Sequence, residues 1–316
     1  MSKVLKAYKV MEEKKAIAAF ETIEKAADFI QGKSNLEIKP VNLCKSVISL
    51  IIKTDYSYFY KPMPAVWKEF FPVITVNELK EMGLNFTVKH NGKMTGMFSL
   101  STTCKCNAAC QTKIEKAYAD LGIDLSDKKN ARKAMKNYLE NNPLDTNISI
   151  CALCFSDSQQ DTFTNMEDTL KHNFEILNNG IIHNDYLPLL NNLYFRGESF
   201  GDFNSINAVI NFYNIAAKNP LVSVTAWTKN LCFFYQAKKA GIKKPDNFRL
   251  IYSSLFINNP APIPESCSDL ITARFTVYTE KFAELHNISI NCGARACMAC
   301  LKCYTGKTFD ICELLK

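Results

Sequence analysis

The strongest constraint on the fold is an alternation running through the second half of the chain. Short runs rich in β-branched and aromatic residues are followed repeatedly by longer runs with apolar residues at helical spacing. Ile148–Cys151 reads as strand-like and Thr164–Asn178 as helix. Asn192–Arg196 reads as strand and Ser205–Lys218 as helix, then Leu221–Trp227 as strand and Leu231–Gly241 as helix. Phe248–Ser254 and Arg274–Tyr278 read as strands, the latter leading into a helix near Lys281–His286. Alternation of this kind predicts parallel strands with crossover helices, an α/β fold. About five such units suit a partial (β/α) barrel or an open, mostly parallel sheet, and in both designs functional groups gather at the C-terminal ends of the strands.

Upstream, Asn85–Lys89 and Met97–Ser101 read as two short strands, with Asn91-Gly92 as the turn between them. Two helical stretches follow, at 111–121 and 127–140. Residues 11–31 place Ile17, Phe20, Ile23, Ala27 and Ile30 at helical spacing ahead of Gly32, which predicts an amphipathic helix. The aromatic-rich stretch from Tyr56 to Phe71 is broken by Pro62, Pro64 and Pro72, which forbids a long helix. Its aromatics read as core rather than as a base-stacking platform. The chain therefore divides into an N-terminal helical and aromatic extension, 1–80, and an α/β core with Cys-rich loops, 81–316.

No apolar run approaches membrane-spanning length; the longest, Val47–Ile52, is far too short. The N-terminus carries no apolar core of signal-peptide length, so the expected compartment is the cytoplasm. The net charge of +7, from 38 basic and 31 acidic residues, permits an anionic partner such as nucleic acid without requiring one. The lysines of 128–136 and 238–244 read as solvated helix faces.

Thirteen cysteines in a reducing compartment, where disulfides are rare, need another explanation. Thiolates are soft ligands that suit iron–sulfur clusters and zinc. Cys104, Cys106 and Cys110 are spaced C-x-C-x3-C, and Cys151 and Cys154 form a C-x2-C pair. Cys292, Cys297, Cys300 and Cys303 form a C-x4-C-x2-C-x2-C hook. The hook is the sharpest of the three: four thiols within twelve residues, with small residues between them, can wrap one cluster or one zinc ion. The first two groups, some 40 residues apart, are expected to share a site; three thiolates on a [4Fe–4S] cluster leave one iron open. Cys44, Cys232, Cys267 and Cys312 stand alone and read as ordinary core or surface thiols. His172 reads as a structural residue, with ligand or proton carrier as the sharper alternative.

Several stretches stand in order along residues 91–316. They are Asn91-Gly92-Lys93-Met94-Thr95-Gly96, Ser99-Leu100-Ser101 with the first cysteines, Cys151-Ala152-Leu153-Cys154-Phe155, and His172-Asn173. The series continues with Phe195-Arg196-Gly197-Glu198-Ser199-Phe200-Gly201-Asp202-Phe203, Asn219-Pro220, Ala226-Trp227-Thr228-Lys229 and Leu250-Ile251-Tyr252-Ser253-Ser254, and closes on the hook. In that order the stretches resemble the phage gene product 88 family. Glu198 stands where the family often carries another polar residue, and Phe200 interrupts its Ser-Gly-Asp. The layout is similar to that of radical S-adenosylmethionine enzymes, although their compact C-x3-C-x2-C run is absent. On that analogy an open cluster iron binds S-adenosylmethionine. Arg196, Ser199, Asp202 and Lys229 are then the candidate catalytic residues, with Trp227, Ser253 and Glu280 around the cofactor. Asp202 has a plainer alternative as a helix cap. The rival reading is a non-catalytic protein, stapled by zinc or a cluster, that binds nucleic acid or a host protein; a phage-encoded chain would work in the host cytoplasm.

Overall fold

The computed structural model describes residues 4–12, 15–20, 36–44, 83–87, 92–103, 105, 107–182, 187–190, 192–294, 296–306 and 308–315. The N-terminal part holds three strands, β1 (Val4–Glu12), β2 (Lys15–Phe20) and β3 (Leu36–Cys44), in an antiparallel sheet of order β2-β1-β3. This corrects the helix expected over 11–31: Glu12 pairs with Lys15 and Val10 with Ala18, so a hairpin occupies its first half. The alanine-rich run Lys15–Phe20 satisfies either periodicity, and nine residues of β1 pair with β3, a ladder no local preference outweighs. The described part of this extension is thus β rather than helical; the aromatic stretch at 56–71 lies outside the described residues.

The core is a seven-stranded sheet of order β10-β9-β8-β7-β6-β5-β4. Its strands are β4 (Phe86–Thr87), β5 (Phe98–Leu100), β6 (Tyr194–Gly197), β7 (Ser223–Thr228), β8 (Phe248–Ser253), β9 (Ile271–Tyr278) and β10 (Asp310–Leu314). All neighbours pair in parallel except β4 and β5. Parallel strands in unbroken sequential order are the winding of a barrel that has not closed; the doubly wound alternative would reverse direction midway. The sheet is therefore the open, mostly parallel one. The β4–β5 pair is antiparallel as expected, but its connection contains a 3-10 turn at Gly92–Met94 rather than a two-residue hairpin loop.

Among the described residues there are nine helices. Between β5 and β6 come α1 (Ala108–Ala119), α2 (Lys128–Asn141), α3 (Phe155–Thr162) and α4 (Thr164–Asn179). Single helices, α5 (Ile206–Lys218) and α6 (Cys232–Lys239), make the next two crossovers. After β9 come α7 (Glu280–Leu285) and the one-turn α8 (Cys297–Cys300) and α9 (Lys302–Thr305). Ile148–Cys151, expected as a strand, is instead the entry to a 3-10 turn, Ile150–Leu153, started by Ser149 accepting the Cys151 N–H. An apolar run that short cannot be told from a buried turn by periodicity. None of the described helices is long and apolar enough to cross a membrane.

Right-handed crossovers between sequential strands put their helices on one face. There Phe195, Val224, Ala226, Phe248 and Leu250 pack against Val209, Phe212, Ile215, Phe234 and Ala237 of α5 and α6. Gly197 is required at this contact: a Cβ would lie 2.7 Å from the Phe212 ring. The crossover ends are fixed by buried asparagines. Asn219 accepts from Leu190 N and donates to Pro188 O and Ile215 O, while Asn247 donates to the carbonyls of Ala216, Asn219 and Val222. The pleat sends Arg196, Thr225, Trp227, Arg249 and Ile251 to the opposite face, where Cys292, Cys303 and Tyr304 cover them.

Candidate functional site

The carboxyl ends of β5, β6 and β7 meet at one edge of the core. Glu198 N donates to Leu100 O and Ser199 N to Ser101 Oγ, zipping the strand ends together. Glu198 takes a left-handed backbone (φ 52°), and its side chain is 3 % exposed. Its Oε2 accepts from the Thr102 N–H and hydroxyl, at 3.1 and 2.8 Å, while its Oε1 is buried with no partner. Burial pushes this carboxyl up to about 7, against the Thr102 hydrogen bonds, which favour the charged form. The Ser199 hydroxyl, also cut off from solvent, has no partner either.

Asp202 has both carboxylate oxygens committed. Oδ1 accepts from Thr228 Oγ1 (2.6 Å) and Phe203 N, and Oδ2 accepts from Lys229 N (2.9 Å). It fixes the turn that ends β7; α5 is capped by Ser205 instead. The Asp202 carbonyl receives Asn107 Nδ2, and Asn107 Oδ1 in turn caps α1 by accepting from Cys110 N. That chain of bonds ties Cys110 to the strand ends. Tyr118, on the same helix, donates its hydroxyl to Ala152 O, and Ile114, Ala117 and Tyr118 pack against Ile148, Cys151 and Ala152. The helix carrying Cys110 is thereby clamped to the turn carrying Cys151 and Cys154.

The result is a thiol group drawn from two distant segments. Burial raises the Cys110 thiol well above its usual range, and the neighbouring Asp202 and Cys151 add to the shift. Burial likewise raises Cys151, against the pull of Lys229. Burial opposes the Lys229 charge, yet Cys151, Asp202, Cys154 and Cys110 around it hold its ammonium above the ordinary lysine range. Of the expected residues, Cys110, Cys151, Cys154, Asp202 and Lys229 are brought together here, with Ser199 on the adjoining loop. Cys104 and Cys106 lie outside the described residues. The residues flanking them are anchored: Thr103 donates to Gln160 and Lys105 pairs with Glu167 at 2.7 Å. The rim carries an aromatic pair, the exposed Phe155 stacked on the half-buried Phe200 at 5.9 Å.

Other expected residues go elsewhere. Arg196 and Trp227 lie on the inner sheet face, the guanidinium 3.9 Å over the indole, among the hook thiols. Ser253 is buried at the end of β8. Glu280 is exposed in the first turn of α7, where an acid suits the helix dipole. His172 bonds to Gly83 O, the structural role. Residues not expected from the sequence include Glu198 as a buried acid, Thr102 as its partner and Asn107 as the cap. An acid and a glycine three residues apart at the end of a predicted strand, Glu198 and Gly201, were the available clue.

All ten cysteines with described side chains are free thiols. As the side chains stand, no group of three or more His, Cys, Asp or Glu among the described residues could hold a metal ion. On α2, Lys128 and Arg132 pair with Asp157 and Asp161, at 2.5–3.7 Å, while Lys129, Lys133 and Lys136 are exposed.

No curated protein and no solved structure matches the chain. The family model for gene product 88 matches residues 74–309, a span that contains β4 to β9 and ends just ahead of β10. The match takes in the strand ends, both described thiol groups and the Lys93–Met94 turn beside the hook, and the chain belongs to the gene product 88 family of phage proteins.

Proposed function

We propose that the chain is an iron–sulfur enzyme of phage. In this reading Cys110, Cys151 and Cys154 hold a [4Fe–4S] cluster with one open iron for S-adenosylmethionine. The observation that carries the reading is convergence: thiols from α1 and from the 150–154 turn meet beside Lys229 at the carboxyl edge of a singly wound parallel sheet. That edge is where such sheets collect their chemistry.

The donor set fits in chemical type: soft thiols outside any disulfide, Cys151 buried and Cys110 and Cys154 half-buried, with a cation beside them to offset the charge that ionised thiols would bring. Closing around a cluster requires the side chains to turn toward a common centre. When bound and reduced, such a cluster supplies an electron that cleaves the sulfonium of S-adenosylmethionine. The chain's own residues orient and shield. Asp202 fixes the turn that presents Lys229, the Phe155–Phe200 pair offers a planar apolar face to an adenine ring, and Glu198 holds a proton near neutral pH beside the unpartnered Ser199 hydroxyl. The nucleic-acid-binding reading has less support: of the basic residues of α2, Lys128 and Arg132 are taken up by Asp157 of α3.

The test is anaerobic reconstitution followed by reduction with dithionite and addition of S-adenosylmethionine. The wild-type chain is expected to release 5′-deoxyadenosine, and Cys151→Ala and Cys154→Ala to release none. A reconstituted, folded wild-type chain that forms no deoxyadenosine refutes the enzyme reading.

A further inference from the structure

A second thiol group lies on the inner face of the sheet, away from the strand ends. Asn291 N and Cys292 N both bond to Cys312 O, and Lys302 Nζ closes on Asn291 O, so the 291–303 segment is a loop drawn tight at its neck. Within it α8 and α9 are joined by Leu301 in left-handed backbone (φ 54°), 4 % exposed. A branched, buried residue in that conformation is strained and persists only where its surroundings impose it. The reversal swings Cys303 back toward Cys297 and Cys300. Burial raises Cys292, Cys297 and Cys303, the last to about 12; Cys300 adds to the rise of all three, and Cys292 to those of Cys297 and Cys303.

The sheet beneath them is unusual. Ser99, Arg196, Thr225 and Arg249 are register neighbours across β5, β6, β7 and β8, forming one polar row. Arg196 Nε, Thr225 Oγ1 and Arg249 Nη2 are cut off from solvent and unpartnered. Arg249 Nε donates to Cys303 O, and Gly306 is needed where the guanidinium packs, since a Cβ there would lie 2.6 Å from it. Among the described residues no carboxylate forms an ion pair with either arginine, and the charged group that favours Arg249 is Cys303. Of the nearby lysines, Lys93 pairs with Glu313 at 2.6 Å while donating to Cys292 Sγ at 3.2 Å, and Lys244 donates to the Phe248 carbonyl at 3.0 Å. The two guanidinium groups thus bear on Cys297 and Cys303, while Lys93 and Glu313 bear on Cys292.

From this charge distribution and the shape of the loop, we infer that Cys292, Cys297, Cys300 and Cys303, once their side chains turn toward a common centre, form a second, closed metal centre of four thiolates. A divalent core, zinc or [4Fe–4S]2+, bound by four thiolates keeps two negative charges, and Arg196 and Arg249 balance them. Every position is filled by protein, so this centre binds no substrate; it fastens the loop to the sheet. It also gives the family's first and last matched stretches a common purpose, since Lys93 and Met94 reach the hook from the β4–β5 connection, Met94 Sδ accepting from Arg196. The inference stands independently of the first thiol group.

Metal, iron and sulfide per chain are measured on anaerobically prepared protein in three forms. Cys110→Ala/Cys151→Ala/Cys154→Ala is expected to keep one full centre, either four irons or one zinc, the identity telling the two sources apart. Cys297→Ser/Cys303→Ser is expected to lose it. A folded first-site variant without metal, or a hook variant with undiminished metal, overturns the proposal. Should the hook variant fail to fold, alkylation of the native wild-type chain decides. The four hook thiols are expected to be protected until a chelator or cluster oxidant is added, and equal labelling before and after refutes the centre. Arg196→Met and Arg249→Met are expected to release the metal roughly tenfold more readily, the size of effect usual for groups supporting metal ligands. Arg274→Met, whose partner is the exposed Asp310, is expected to change nothing; equal release from all three variants contradicts the charge-balance assignment.

Discussion

Gly201→Ala is expected to destabilise the protein by about 3 kcal/mol and to disorganise the carboxyl edge of the sheet. The added Cβ would lie 2.2 Å from Thr102 Oγ1, 2.6 Å from Glu198 Oε2 and 2.9 Å from the Thr102 carbonyl. Two of these atoms are the partners of a buried 2.8 Å hydrogen bond, and the third is backbone at the end of β5. Nothing there is the free end of a flexible chain, so relief requires separating Thr102 from Glu198 and moving the loop that carries Asp202. Gly180→Ala is the control, since nothing lies within 4 Å of a Cβ at that position. Chemical denaturation of both variants checks the difference; comparable stabilities would show that the strand ends are not packed as described.

The second large effect is a pH dependence centred on Glu198. Its folded-state value near 7 lies above the ordinary 4.5, chiefly because burial disfavours the charged form. For a carboxyl raised in this way, the stabilising contribution is complete below pH 4.5 and is lost as the pH rises through about 7. A difference of about 2.5 units corresponds to about 3 kcal/mol. Glu198→Gln keeps an acceptor for Thr102, places an amide where Oε1 lacks a partner, and cannot ionise. The variant is expected to match wild type near pH 4 and to exceed it by about 3 kcal/mol near pH 8. Urea midpoints at the two pH values test this, and a variant advantage that is the same at both would remove Glu198 as the titrating group. If Glu198 also passes a proton in turnover, the same variant gains stability and loses activity.

Much of the core was readable because period and composition agree there. The strands at Ser223–Thr228 and Phe248–Ser253, and the helix at Ile206–Lys218 with its Ser205 cap, fall within two residues of where the sequence places them. The open-sheet form of the α/β class follows from the sequential strand order. Cys110 and the Cys151–Cys154 turn lie beside Lys229 because α1 is clamped to the 150–154 turn by Tyr118 and its apolar neighbours. Other features depend on contacts that a linear pattern does not carry. Lys15–Phe20 turned on pairing with β1, and Ile150–Leu153 on burial in a turn. Arg196 was grouped with Ser199 and Asp202 by proximity in sequence, but the two-residue pleat sends it through the sheet to face the hook, while Glu198 beyond it turns into the strand-end site. The left-handed backbone at Glu198 and Leu301 has no compositional signature, since neither is a glycine or an asparagine.

Electron paramagnetic resonance of the reduced, anaerobically reconstituted chain, recorded with and without S-adenosylmethionine, addresses the central claim most directly. An open iron at the Cys110–Cys151–Cys154 site predicts a reduced-cluster signal whose shape shifts when S-adenosylmethionine is added and which is missing from Cys151→Ala. A signal indifferent to S-adenosylmethionine, or none at all from folded protein, would contradict it.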